Sequence, residues 1–414
     1  MQTLSLEAMI FPTLPFPYTE RQEQLVAQTK TLAQKFAERA AQHDADGTFP
    51  LENYDDIRTA GLPGMIVPTE YGGQDANLLD MLLVMEMMAI GDGSTALSTS
   101  MHVQTLGNVV ENRSWPSHMF DRVCRDAVAV GAMVNAVATE PELGSPSRGG
   151  KPKTTAHPVF DDAGKVQHWL INGHKNFASL SPTLDYMIIA AALEDGSGEV
   201  ARFVVPTTER VGSDGAGIEV LETWNAMGMR STGSHDVLFK DVSVQDENII
   251  MRSDSSKPHK GGRSNPWFML IVSGVYLGVA VAAQRAAAHY AQTRVPTALG
   301  KPIATLESIQ RHLGEAELLL HQAHTHLYHT ADQWIRYPDK RMEMSQSVNV
   351  AKHTATNNAI KVVDHCMRIA GGAGMTKNLP IERYYRDVRG GLTHPMNDDQ
   401  LMTYLGRNVL GRLK

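Results

Sequence analysis

The residue pattern changes character twice along the chain, and those two changes constrain its architecture more than any single motif. Up to about residue 130 apolar residues recur at helical spacing. Leu25, Leu32, Phe36 and Ala40 mark an amphipathic helix over Thr19 to Ala60, and the runs Leu78 to Ala89 and Leu97 to Val110 form a helical pair broken at Gly91-Asp92-Gly93. From Ala127 to about Ile250 come short β-rich runs, such as Tyr186 to Ala190, Arg202 to Val205 and Asp236 to Lys240, separated by turns rich in Gly, Pro, Ser and Asp. Helical patterning returns over Trp267 to Ala283, Leu306 to Trp334, Met344 to Ile369 and Gln400 to Leu413, after a polar stretch, Arg252 to Ser264, that reads as a surface linker. A chain of 414 residues is too long for one ordinary core, so the pattern predicts a helical domain over 1–130, a β domain over 131–250 and a helical bundle over 251–414.

Composition excludes several function classes. A net charge of −7 without a concentrated basic run argues against a nucleic-acid partner. Cys124 and Cys366 are too few for a disulfide framework, which favours a reducing compartment, and the N-terminal stretch lacks a basic region followed by a continuous apolar core. A cytoplasmic location is the expectation. The apolar run Trp267 to Ala283 falls short of a bilayer core and lacks a basic flank, so no membrane span is expected; Gly274 and Gly278 on one face suit close helix packing. His321, His324, His326 and His329 form two i, i+3 pairs pointing in different directions, so they predict packed or solvated helix residues and no metal site.

The densest chemistry lies in CMRIAGGAGMTKNLPIERYYRDVRGGLTHPMNDDQ, Cys366 to Gln400. A helix ends at Gly371-Gly372-Ala373-Gly374, restarts around Pro380 to Arg383 and breaks again at Gly390-Gly391, so two turns enclose a charged helix. Glycines at such a turn let a phosphate or ring approach the backbone. Three earlier segments stand out: Thr139-Glu140-Pro141-Glu142-Leu143-Gly144-Ser145, a polar loop; Asn172-Gly173-His174-Lys175-Asn176-Phe177-Ala178-Ser179, whose Asn-Gly predicts a hairpin turn; and Met227-Gly228-Met229-Arg230-Ser231-Thr232-Gly233-Ser234, a loop leading into a strand. No G-x-G-x-x-G opens a βαβ unit, so a nicotinamide site is not expected.

Taken in order, these four segments resemble signatures of the acyl-CoA dehydrogenase superfamily, and the sequence VPTEYGG before a Met/Leu-rich helix is similar to its N-terminal domain. The resemblance implies a mostly α fold with a central β domain: an N-terminal helical domain, a middle β-barrel or sandwich and a C-terminal four-helix bundle. It implies a flavin, FAD with FMN as the alternative, and a homotetramer with flavin at a subunit interface. Thr139 and Ser145 would border flavin and substrate. Phe177 and Ser179, in place of the family's Trp and Thr, would pack on the isoalloxazine and bond near its N5 and O4. Gly371, Gly372 and Gly374 would meet a neighbouring subunit's flavin, while Arg294 and Gln310 would lie near the dinucleotide phosphates. Val295 to Gly300 there replaces a shorter family spacing. Arg230 reads as a structural brace.

The family's carboxylate base is missing. By the resemblance its two addresses fall on Pro395 and Phe268, neither ionisable. In the same loop, Asp398 or Asp399 is a candidate displaced base, although Asn397-Asp398 also suits a helix cap. His394 points elsewhere: a branch of flavin monooxygenases similar to dibenzothiophene monooxygenase places a His eight residues after the Arg that matches Arg386, a second His in the N-terminal domain and a Ser beside the flavin. His394, His102 and Ser179 occupy comparable places. The expected function is therefore a flavin-dependent oxidoreductase on an acyl thioester such as acyl-CoA, passing electrons to a flavoprotein acceptor. The alternatives are a monooxygenase fed by a flavin reductase, or an inactive scaffold.

Overall fold

The computed structural model describes residues 19–143, 150–207, 216–254 and 265–412. Helix α1 (Glu20–Asp46) starts at a capping box between Thr19 and Gln22 and stops at Gly47, whose φ of 69° is left-handed. The single helix expected over Thr19 to Ala60 is therefore two, because Gly47 ends one and Pro50 precedes α2 (Leu51–Thr59). Helices α3 (Leu78–Gly91), α4 (Gly93–Asn112) and α5 (Ser117–Ala129) follow; Asn77 caps α3, and Asp92 caps α4 through the N–H groups of Ser94 and Thr95.

The middle of the chain forms one curtain of strands: β1 (Val134–Ala136), β2 (Thr155–Phe160), β3 (Val166–Ala178), β4 (Tyr186–Leu193), β5 (Glu199–Pro206), β6 (Gly217–Leu221), β7 (His235–Gln245) and β8 (Ile249–Asp254). Their order is β6-β7-β3-β2-β4-β5-β8, with β1 parallel to β4. Asn172-Gly173 does not turn the chain, contrary to the expected hairpin. It is a register shift inside β3, where Asn172 bonds both the side chain and the N–H of Asp241, and a Cβ on Gly173 would lie 2.4 Å from Thr154 Oγ1. Arg252 to Asp254, expected in a linker, extend β8; residues 255–264 lie outside the described part.

The C-terminal part comprises α6 (Pro266–Thr293), α7 (Glu307–Arg336), α8 (Ser345–Ala370), the short α9 (Ile381–Asp387) and α10 (Asp398–Arg412). Helices α6, α7 and α8 pack on one another, whereas α10 touches α8 and buries only Leu401. By length and composition α6 could cross a membrane, yet 94% of its most apolar window is buried within the protein. Its glycines explain how: a Cβ on Gly274 would lie 2.4 Å from Leu82 Cδ1, and one on Gly278 would lie 2.3 Å from the Glu86 carbonyl oxygen. Helices α3 and α6 thus cross in near-backbone contact, and α6 is the spine of the molecule.

Glu86 of α3 is fully buried and bonds His324 Nε2 at 2.6 Å and the Tyr328 hydroxyl, both on α7. Burial depresses the His324 imidazole, but the Glu86 charge and hydrogen bond outweigh it and leave its pKa raised. A raised histidine pKa stabilises the fold fully below its unfolded value, about 6.5, and that contribution is lost as pH rises through the folded value. Glu86→Leu should cost about 3–5 kcal/mol by stranding the buried His324. In thermal melts its deficit against wild type should be largest near pH 6 and shrink toward alkaline pH; a pH-independent deficit would contradict the ion-pair assignment.

Candidate functional site

Between the sheet and the helices lies a cleft of about 860 Å³. Helix α4 contributes Leu97, Met101 and Gln104, whose i, i+4, i+7 spacing puts them on one face, and α6 contributes Phe268 and Tyr276. The 3₁₀ turn after α9 adds Arg389, Gly390, Thr393, His394 and Pro395. This turn lies directly on Tyr276, since a Cβ on Gly390 would sit 2.6 Å from the Tyr276 hydroxyl. Opposite stand Asn135 after the start of β1, Thr139, the end of β3 at Asn176 and Phe177, then Ser179, Trp224, Thr232 and Ser234.

Two of the sequence segments prove to be one construction. Lys175 is buried in β3 and donates to Glu140 at 2.6 Å, while Glu140 also accepts from the backbone N–H groups of Lys153 and Thr154 and from the Thr154 hydroxyl. Burial alone would raise the Glu140 pKa; Lys175 and Thr154 overcome it and hold the carboxyl below its usual range. The Asn176 N–H bonds the Thr139 carbonyl, so the loop is clamped to the end of β3 beside Phe177. Phe177 itself is 62% exposed at a φ of 53°, edge-on to Trp224 at 5.9 Å. Backbone strain at a non-glycine positive φ gathers at functional sites, and the exposed aromatic face is free to take a flat partner.

Beside it runs a chain of hydroxyls: Ser179 Oγ to Ser234 Oγ at 2.8 Å, Ser234 Oγ to Thr232 Oγ1 at 2.7 Å, and Thr232 Oγ1 donating to the Met229 carbonyl at 3.1 Å. On the helical wall His394 Nε2 shares a 2.8 Å hydrogen bond with the Tyr276 hydroxyl and packs edge-on to Phe268. Burial, then the nearby Lys352 charge, push the His394 pKa down to about 4, so the imidazole is neutral near pH 7; burial raises the Tyr276 phenol. Arg389 donates to Asp364 at 2.9 Å, and its Nη1 is buried without a partner; the Asn176 Oδ1 is likewise buried and unpaired. An exposed ring, a hydroxyl edge and orphaned polar atoms fit a flat amphipathic group such as flavin.

The cleft therefore brings together Thr139, Phe177, Ser179 and His394, with Phe268 and Pro395 beside them in its lining. Other expected site residues stand apart from it. His102 is fully buried, with Nε2 against the Pro63 carbonyl at 3.0 Å and Nδ1 accepting from the Val134 N–H at 3.1 Å, so both ring nitrogens serve the core. Asp398 opens α10 and is held by His353 at 2.9 Å and Asn357 at 3.0 Å. Burial raises its pKa, but those bonds outweigh it and leave the carboxyl low. Asp399 is exposed in the same turn, off the cleft lining. Arg294 and Gln310 are exposed at the far end of α6 and the start of α7, and Gly371, Gly372 and Gly374 line a turn away from this chain's own cleft. Ser145 lies outside the described residues. Arg230 braces, donating to the carbonyls of Asp44 and Ala226.

Sequence reasoning missed Tyr276, Arg389 and Asn135. Tyr276 was hidden in an apolar helix, where its only signal was a hydroxyl eight residues after Phe268; Asn135, which donates to the Ser179 carbonyl at 2.9 Å, carried none.

Fold and cleft together define a flavin-dependent oxidoreductase. The chain belongs to the acyl-CoA dehydrogenase family: the models for its N-terminal, middle and C-terminal domains match residues 19–113, 135–242 and 270–399. It is 36% identical to YdbM of Bacillus subtilis (strain 168), an acyl-CoA dehydrogenase by assignment, over 94% of this chain and 97% of that one. It is 26% identical to dibenzothiophene monooxygenase of Rhodococcus erythropolis, over 90% and 89%. A solved structure of KijD3 in complex with FMN and a dTDP-linked 3-amino-4-keto sugar superimposes with a TM-score of 0.75 at 25% identity, over 96% of this chain and 95% of that one. The family's cofactor is flavin, and the residues lining this cleft suit it.

Because Phe177 is exposed, Phe177→Ala should leave the melting temperature of the flavin-free protein unchanged. It should weaken flavin binding about tenfold, the loss of roughly 1.4 kcal/mol of ring contact, in a fluorescence-quenching titration. Unchanged affinity would remove Phe177 from the flavin site.

Proposed function

We propose that the chain is a two-component monooxygenase, taking reduced flavin from a separate reductase and delivering one oxygen atom of O2 to a small organic substrate while the other leaves as water. The observation that carries this reading is the acid–base inventory of the cleft. Among the described residues lining it the one carboxylate is Glu140, fully engaged by Lys175, Thr154 and two backbone N–H groups. The addresses of the family's base carry Phe268 and Pro395, so nothing there takes an α-proton from a thioester.

Reduced flavin, when bound, supplies the two electrons that activate O2. This chain's residues position and protonate. The neutral His394, held by Tyr276, presents a polar edge to the cleft, and the Ser179–Ser234–Thr232 chain offers a hydroxyl from the facing wall. The Arg389 guanidinium, held by Asp364 at the cleft wall, adds positive charge that favours negative charge developing on oxygen. Phe268, Leu97 and Met101 exclude water. FMN is the favoured form, since Val295 to Gly300 lengthen the segment after Arg294, which the resemblance puts near the dinucleotide phosphates.

The identity to YdbM favours a second reading, desaturation of an acyl thioester. It needs Asp398 to leave His353 and Asn357, or the exposed Asp399 to turn into the cleft. Anaerobic mixing of the flavin-loaded protein with butyryl-CoA or palmitoyl-CoA separates the two: the oxygenase reading expects the yellow colour to persist, and bleaching would overturn it. With supplied reduced FMN and air, His394→Ala should release hydrogen peroxide about tenfold faster than wild type. Because burial holds the His394 pKa at about 4, the wild-type rate should show no ionisation of this group between pH 5 and 8 and should fall as pH drops through about 4.

A further inference from the structure

Away from the cleft, the first turns of α7 meet the last turns of α8. His312 and Glu315, one turn apart on α7, converge there with His365 of α8. We propose that these three side chains bind one divalent transition-metal ion, with zinc the best match, clamping α7 to α8.

The geometry carries the proposal. His312 Nδ1 and His365 Nδ1 are 3.0 Å apart, Glu315 Oε2 lies 3.3 Å from His365 Nδ1, and it lies 3.7 Å from His312 Nδ1. Ligand atoms bound tetrahedrally at about 2.0–2.1 Å stand about 3.3 Å apart, so the three edges of this triangle bracket the zinc value. The rings do not stack; their planes are inclined by 47° with centroids 5.3 Å apart, and it is the Nδ1 corners that come together. The two Nδ1 atoms are within hydrogen-bond distance of each other, and a cation between them would take both ring lone pairs together with the carboxylate oxygen. The carboxylate is already oriented: Glu315 Oε1 accepts from Arg311 Nε at 3.0 Å, leaving Oε2 for the shared point.

Donor chemistry selects the ion. Two imidazoles and one carboxylate suit Zn²⁺ and its neighbours, whereas Mg²⁺ and Ca²⁺ prefer all-oxygen shells. The side chains are 29%, 37% and 21% exposed, open enough for water to take a fourth position. The histidines that looked like metal candidates in sequence, His321 to His329, lie further along α7, and His324 of that group is committed to Glu86. The proposed site escaped the sequence because its third ligand comes from another helix.

The test is titration of untagged, chelator-treated full-length protein with Co²⁺ and then Zn²⁺. One Co²⁺ per chain should bind with the visible bands of a four- or five-coordinate nitrogen and oxygen site, and Zn²⁺ should displace it. His312→Ala, His365→Ala and Glu315→Gln should each weaken binding at least tenfold. Zinc should raise the melting temperature of wild type but not of His365→Ala, and flavin affinity, which is read separately, should stay at the wild-type value in all three variants and confirm that they fold. Substoichiometric binding in wild type, or equal affinity in wild type and the variants, would overturn the proposal.

Discussion

Everything in the cleft depends on one ionic knot that ties three parts of the chain. Arg386 of α9 makes a two-pronged bond to Asp44 at the end of α1, at 2.9 and 2.6 Å, holds Glu382 one turn back, and donates to the Met227 carbonyl at 2.9 Å. Its neighbour Asp387 accepts from the Met229 N–H at 2.6 Å; burial raises that carboxyl to about 7. Arg230 closes the circuit through the carbonyls of Asp44 and Ala226. The approach is so close that a Cβ on Gly228 would lie 2.4 Å from the Arg386 carbonyl oxygen. A planar guanidinium that meets a carboxylate with both prongs fixes orientation as well as distance. Both the wall carrying His394 and the loop beside Phe177 and Ser234 are set by this knot.

From that frame the site's division of labour follows. The sheet supplies a flat, partly apolar edge with a line of hydroxyls, and the helical wall supplies a neutral imidazole, a phenol and a guanidinium held by Asp364. What the frame omits is as informative. A base that removes a carbon-bound proton needs a fixed address, and the one carboxylate among the described residues lining this cleft, Glu140, is engaged by Lys175, Thr154 and two backbone N–H groups. The fold is shared with the family, while the chemistry is set by the residues that line its cleft, a case of function residing in the site and not in the scaffold.

The sequence made the three-part architecture legible because each part has its own hydrophobic period, and the four glycine- and charge-rich segments were legible because they are local. Phe177, Ser179, Thr139 and His394 came from those segments and line one cleft. The failures share a physical cause. Asn172-Gly173 has turn chemistry, but the long β3–β7 pairing absorbs it as a bulge. His102 looks functional until the Pro63 carbonyl and the Val134 N–H, distant in sequence, are seen to use both its nitrogens. Asp398 is a plausible base in isolation and is tied down by His353 and Asn357 of another helix. Tyr276 was unreadable because its meaning depends on a turn more than a hundred residues later.

The account stands or falls on a flat redox ring lying between these two walls. A crystal structure of the chain grown with FMN tests that most directly. The isoalloxazine should be found with one face on Phe177, its polar edge on Ser179, and His394 and Tyr276 across the remaining space. Density for the ring elsewhere on the protein, or a cleft closed by the chain's own side chains in the flavin-bound crystal, would contradict it.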